Sequence, residues 1–278
     1  MFELLAISIA FLGLIIASYY DLKTTEIPDL LPILMIAAGV SLNFLNFILT
    51  KNFDNLYFSL INGILFSIVG FSMYFGGLWG AGDAFLLSAV GFLVPKNFLI
   101  KDDLPFFLNY LTNLFLLGSI YMIFYSFFYV LKNRKAILIL KGQMRKFYKY
   151  FVILTFSFLA ASILLSYLFF QIINVKLSLI ITVTSCLLVL VWLFSKSVER
   201  SFIKRIHVSE LKVGDVLLES RRWDGLTKEE IIKIRKSGRK YVYVKSGVCF
   251  APAFPIALVF TIFYGNSIVI LFNLLSLI

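Results

Sequence analysis

The stretch that decides the fold is GGLWGAGDAFLLSAVGFLVP, residues 76–95, in which a single aspartate, Asp83, interrupts an apolar run otherwise extending from 55 to 95. Working outward, charge-free runs fall at 4–20, 30–50, 55–82, 84–95, 104–131, 150–175, 177–195 and 246–278. A helix needs about 20 mostly apolar residues to cross a bilayer, with roughly 17 as the lower limit. Seven of the eight runs reach that length, and 84–95 does not. Of the 278 residues 60% are hydrophobic and 15% charged, where a soluble domain is about half apolar and about a quarter charged. Contiguity of the apolar residues excludes a soluble enzyme, a disordered chain and a secreted disulfide scaffold. The expected fold is an all-α polytopic transmembrane helix bundle with a small α+β cytoplasmic subdomain.

The formal charge of +11 is unevenly placed: seven basic and no acidic residues lie in 132–149, and fourteen basic against seven acidic lie in 196–245. If the first segment starts outside, only Lys51, Lys96, Lys101 and Lys176 face outward. That is the positive-inside bias that orients membrane proteins. The charge therefore reports topology, with the N-terminus expected outside and lipid as the surroundings; the membrane is expected to be the cell (plasma) membrane. Basic groups interleaved with groove-reading or stacking residues are missing, so no nucleic-acid partner is expected. Cys186 and Cys249 form no Cys-x-x-Cys, which leaves a structural zinc site or disulfide framework unsupported. The first segment lacks a basic n-region and is read as a retained helix.

The outer connections are short, at 51–54, 96–103 and around Lys176. Only 196–245 has the grammar of a soluble domain. Val213-Gly214-Asp215 reads as a turn, and Thr227 with Glu230 as a capping box opening a helix through about Arg235. Tyr241–Val244 reads as a strand.

Charged groups within membrane segments are costly, so each is a functional candidate. Asp21 ends segment 1 and Asp83 begins segment 4, and the orientation read from basic residues puts both at the inner face. Two carboxylates close together cannot both ionise easily and can share a proton. The ionised member can take a proton from attacking water while the protonated one donates to the amide carbonyl. Gly76, Gly77, Gly80 and Gly82 keep the approach to Asp83 free of bulk. Taken alone, the Gly-x-Gly-Asp reads as a turn with an N-capping aspartate, and Asp21 as an end-of-helix charge. The pair on one face favours chemistry instead. The one histidine, His207, belongs to no His-Glu-x-x-His, which removes zinc-dependent proteolysis and leaves no membrane histidine for a serine dyad. A transporter or proton-coupled carrier is the alternative; it would place its acids near the midplane on broken, repeated helices.

The run Asp21-Leu22-Lys23-Thr24-Thr25-Glu26-Ile27-Pro28-Asp29 after a first helix, with Gly80-Ala81-Gly82-Asp83 opening a short fourth one, resembles the type IV prepilin peptidases, in particular their archaeal preflagellin (pre-archaellin) and prepilin branch. Gly225-Leu226-Thr227 and Phe250-Ala251-Pro252-Ala253-Phe254-Pro255 extend the resemblance. It implies an intramembrane aspartic endopeptidase of the Gly-x-Gly-Asp class, with Asp21 and Asp83 as the catalytic pair and Gly80 and Gly82 as motif support. The implied partners are archaellin or type IV pilin precursors, cut after a short basic leader on the cytoplasmic side. Glu26 and Asp29 are candidates for contact with that leader. No metal and no cofactor is implied. The loop 21–29 lacks the cysteine-rich insertion of bacterial relatives, so no N-methyltransferase activity is expected. Phe85 stands where many relatives carry a basic residue. The implied organisation is a catalytic membrane domain over 1–131, a basic cytoplasmic loop at 132–149, an inserted transmembrane hairpin at 150–195 added to six family-core helices, the α+β subdomain at 196–245, and a C-terminal transmembrane helix in 246–278.

Overall fold

The computed structural model describes residues 2–96, 104–170 and 175–275. The outer connection 96–103, apart from Lys96, and the link just before Val175 lie outside the described residues. The chain divides into two compact units, Met1–Ile123 with Arg205–Ile278, and Phe124–Lys204. Among the described residues six helices are long and apolar enough to cross a membrane.

The first unit opens with three such helices, α1 (Phe2–Thr24), α2 (Leu30–Thr50) and α3 (Asp54–Phe75). The buried face of α1 consists of Ala6, Ala10, Gly13, Leu14, Ala17, Ser18 and Asp21. These recur at helical spacing and are mostly small, which lets neighbouring helices approach closely where lipid offers no hydrophobic drive. α4 (Ala81–Leu93) has 13 residues, about 20 Å of helix against a hydrocarbon core of about 30 Å. A helix that short cannot carry both ends to water, so its carbonyls need protein partners. They have them. The Phe92 carbonyl accepts from Asn43 Nδ2 at 3.1 Å and Ser59 Oγ at 2.6 Å, and the Pro95 carbonyl accepts from Asn62 Nδ2 at 2.8 Å. Close backbone approach makes this possible: a Cβ on Gly39 would lie 2.7 Å from the Phe92 carbonyl carbon.

α5 (Phe106–Lys132) starts in this unit. The single C-terminal span expected in 246–278 is instead two short helices, α9 (Ala253–Tyr264) and α10 (Ser267–Leu275). Gly265 breaks the run at φ +74, a conformation that favours glycine. The freed groups at the break are taken up by α5: Asn113 Nδ2 donates to the Gly265 carbonyl at 2.7 Å, Asn113 Oδ1 accepts from Ser267 N–H at 2.9 Å, and Asn266 Nδ2 donates to Asn109 Oδ1 at 3.0 Å.

The same unit carries the α+β part. Strands β1 (Ile203–His207), β2 (Val216–Leu217) and β3 (Tyr241–Lys245) form a sheet in the order β1-β3-β2. β2 and β3 are antiparallel, with Val216 opposite Lys245 and Leu217 opposite Val244. Val208, Leu211, Leu226, Ile231, Val242 and Val244 form its apolar core. α8 (Lys228–Lys236) opens on the expected capping box, Glu230 N–H donating to Thr227 Oγ1 at 3.3 Å and Thr227 N–H to Glu230 Oε2 at 2.9 Å.

In the second unit, α6 (Arg134–Phe170) and α7 (Val175–Ser201) pair antiparallel. Ser162 bonds the Ser178 carbonyl at 3.2 Å and meets Thr182 at 3.3 Å, while Thr155 meets Cys186 Sγ at 3.4 Å. The basic stretch 132–149, read from sequence as a loop, is mostly helix. Asn133 Oδ1 accepts from Lys135 N–H at 3.1 Å and Ala136 N–H at 3.4 Å, an N-cap that starts α6. Charge marked where the apolar run ends but not where the helix ends.

Candidate active site

Asp21 closes the buried stripe of α1 and is 6% exposed. Its Oδ2 accepts from Ala251 N–H at 2.9 Å, and its main-chain carbonyl accepts from the Cys249 thiol at 3.2 Å and from Thr25 N–H at 2.8 Å. Ala251 sits one residue before Pro252, the N-cap of α9. A carboxylate is favoured there, because the first amides of a helix have no partner within it and the dipole is positive.

Asp83 is the third residue of α4, half-buried, with Oδ2 accepting from Gly80 N–H at 3.3 Å. The N-cap position belongs to Gly80, so Asp83 is not the N-capping aspartate of the plain-turn reading; it reaches back as the acidic half of a capping box does. Gly82 packs on the loop after α1: a Cβ there would lie 3.0 Å from Ile27 Cβ. Gly80 is extended, at φ −74 and ψ 161, a conformation open to other residues. Phe85 packs edge-on against Phe71, with ring centroids 5.1 Å apart.

One cavity of about 1030 Å³ is lined by Asp21, Asp83, Gly80, Gly82, Glu26 and Asp29 together. The six candidate site residues named from the sequence therefore line one cavity. Glu26 and Asp29 are exposed, and among the described residues neither is in an ion pair. The α+β part also lines the cavity, through residues including Lys212, Gly214, Trp223 and Lys245. Gly214 has φ +94, and a Cβ on it would collide with the Glu26 carboxylate. Among the described residues no three His, Cys, Asp or Glu side chains group as a metal site.

Residues 8–131 match the type IV leader peptidase family. Curated relatives include the preflagellin peptidase of Methanocaldococcus jannaschii, 40% identical over 104 residues, which is 36% of this chain and 43% of that protein. Another is the preflagellin peptidase of Methanococcus maripaludis, 30% identical over 158 residues, 52% of this chain and 64% of that one. The preflagellin peptidase of Methanococcus voltae is 34% identical over 93 residues, 34% of this chain and 40% of that one. The chain thus matches about half the length of these relatives. No solved structure matches it. Asp21, Glu26, Asp29, Gly80, Gly82 and Asp83 all fall inside the segment that matches the type IV leader peptidase family, whereas Ala251, Cys249 and Trp223 lie beyond it.

The sequence reading missed the last three as site residues. The backbone amide of Ala251 has no sequence signal of its own. One signal was available for Asp21: it continues the small-residue face Ala6, Ala10, Gly13, Ala17, which points it inward at helical period.

Proposed function

We propose that the chain is an intramembrane aspartic endopeptidase that removes the short basic leader of archaellin or type IV pilin precursors on the cytoplasmic side. The observation that carries this reading is the cavity shared by Asp21 and Asp83 at the end of α1 and the start of α4. In this mechanism one carboxylate is ionised and takes a proton from water as it attacks the scissile carbonyl carbon. The other is protonated and donates to the carbonyl oxygen. The Ala251 N–H bond to Asp21 Oδ2 supports the ionised form at Asp21. Asp83 is then the proton donor. Glu26 and Asp29, exposed at the rim, attract the basic leader.

The test is co-expression with an archaellin precursor, with leader removal read by intact mass. Asp21→Asn and Asp83→Asn should each lower cleavage by on the order of a thousandfold while inserting as well as the parent. Full cleavage by either variant overturns the assignment. Glu26→Lys combined with Asp29→Lys should slow cleavage without abolishing it; an unchanged rate removes the leader contact.

A further inference from the structure

The loop between α3 and α4, Gly76 to Gly80, sets where Asp83 stands, and three of its five residues are glycine. Glycine is the most conformationally permissive residue, yet a reacting carboxylate needs its support fixed to a fraction of an ångström. On one side Trp79 anchors the loop, its ring 5.6 Å from Phe250 and 5.9 Å from Phe254. On the other side the α+β part grips it. The indole N–H of Trp223 donates to the Gly77 carbonyl at 3.1 Å. Gly77 has φ +74, and a Cβ there would strike the Arg221 carbonyl, so the two backbones lie against each other. The Tyr74 hydroxyl, at the end of α3, bonds Asp224 Oδ1 at 2.6 Å. Behind Trp223, Lys245 Nζ stands 4.4 Å from the ring centroid and donates to the Ser220 carbonyl at 2.7 Å.

We propose that Trp223 is a positioning residue: through its N–H on the Gly77 carbonyl it holds the Gly76–Gly80 loop, and with it Asp83, in place opposite Asp21. The α+β part is then a component of the reacting site and not a connector between membrane helices. This rests on the reading of Asp21 and Asp83 as the reacting pair. Trp223→Phe is the direct test, because it keeps an aromatic side chain at this position and removes the N–H donor to Gly77. In the full-length protein in lipid vesicles, with purified precursor, kcat should fall about tenfold and KM change by less than about twofold. Amide hydrogen exchange should quicken across 76–82 and stay unchanged across 227–245, where the Thr227–Glu230 cap and β3 report the fold of the α+β part. Tyr74→Phe should act in the same direction and more weakly. Unchanged exchange at 76–82 overturns the proposal, as does an unchanged kcat. Faster exchange spread equally into 227–245 also overturns it, since the residue would then only stabilise the fold. Asp21→Asn should abolish cleavage with parental exchange at 76–82. Cleavage by that variant is the separate sign that the reading of the pair is wrong.

Discussion

In α4, Ala84, Leu86, Leu87, Ala89, Val90 and Leu93 are each 0% exposed, whereas in the most apolar stretch of α6 only 6% of residues are buried within the chain. Both helices are apolar, so hydrophobicity does not separate them. Length does. α6, at 37 residues, is about 55 Å long and satisfies its own backbone across a bilayer, leaving its side chains to lipid. Carbonyls at the end of α4 and just past it, Phe92 and Pro95, are satisfied by Asn43, Ser59 and Asn62 on neighbouring helices, which requires protein around it. A carboxylate at its start inherits a fixed, protein-lined setting. The short helix is interior because it is short.

That contrast can be broken experimentally, and the largest effect should come from the charges. Asp83→Asn at the head of α4 should cost on the order of a thousandfold in cleavage, while Ser162→Ala in the α6–α7 seam should leave the cleavage rate within about twofold. Comparable losses would mean that the hairpin shares in the chemistry. Next in size is one substitution with opposite signs. Gly91→Ala places a Cβ 2.6 Å from the Asn62 carbonyl oxygen and should destabilise by about 1–3 kcal/mol. Gly142→Ala in α6 meets nothing within 4 Å and should stabilise by up to about 1 kcal/mol through helix propensity. Thermal unfolding in detergent reads both, and equal signs would sink the interior–surface distinction. The smallest effect compares polar bonds. Asn62→Leu strips the Pro95 carbonyl of its donor and should cost about 1–3 kcal/mol; Ser162→Ala should cost roughly 0.6 kcal/mol, the usual size of an interhelical bond in a membrane.

Much of this was legible beforehand. The charge-free runs located α1, α2, α3 and α5, and the Asp83 interruption located α4, because side chains must match a lipid or a protein surroundings residue by residue. The Thr227–Glu230 cap was legible for the same local reason: four residues carry the whole signal. Two readings went astray where the deciding group lay elsewhere. The break of the C-terminal run at Gly265 needs Asn109 and Asn113 from α5, and α6 begins at Asn133, before its apolar stretch does.

By itself, then, the sequence determined that the chain is a multi-pass helical membrane protein whose rare membrane acids, Asp21 and Asp83, open and close helices. Tertiary structure alone decided that both line one cavity, that the Ala251 amide holds Asp21, and that Trp223 reaches Gly77. The physical reason is that these partners include main-chain amides and carbonyls. Nearly every residue carries such groups, so no residue type announces which one will be used, and only the packing of distant segments selects it.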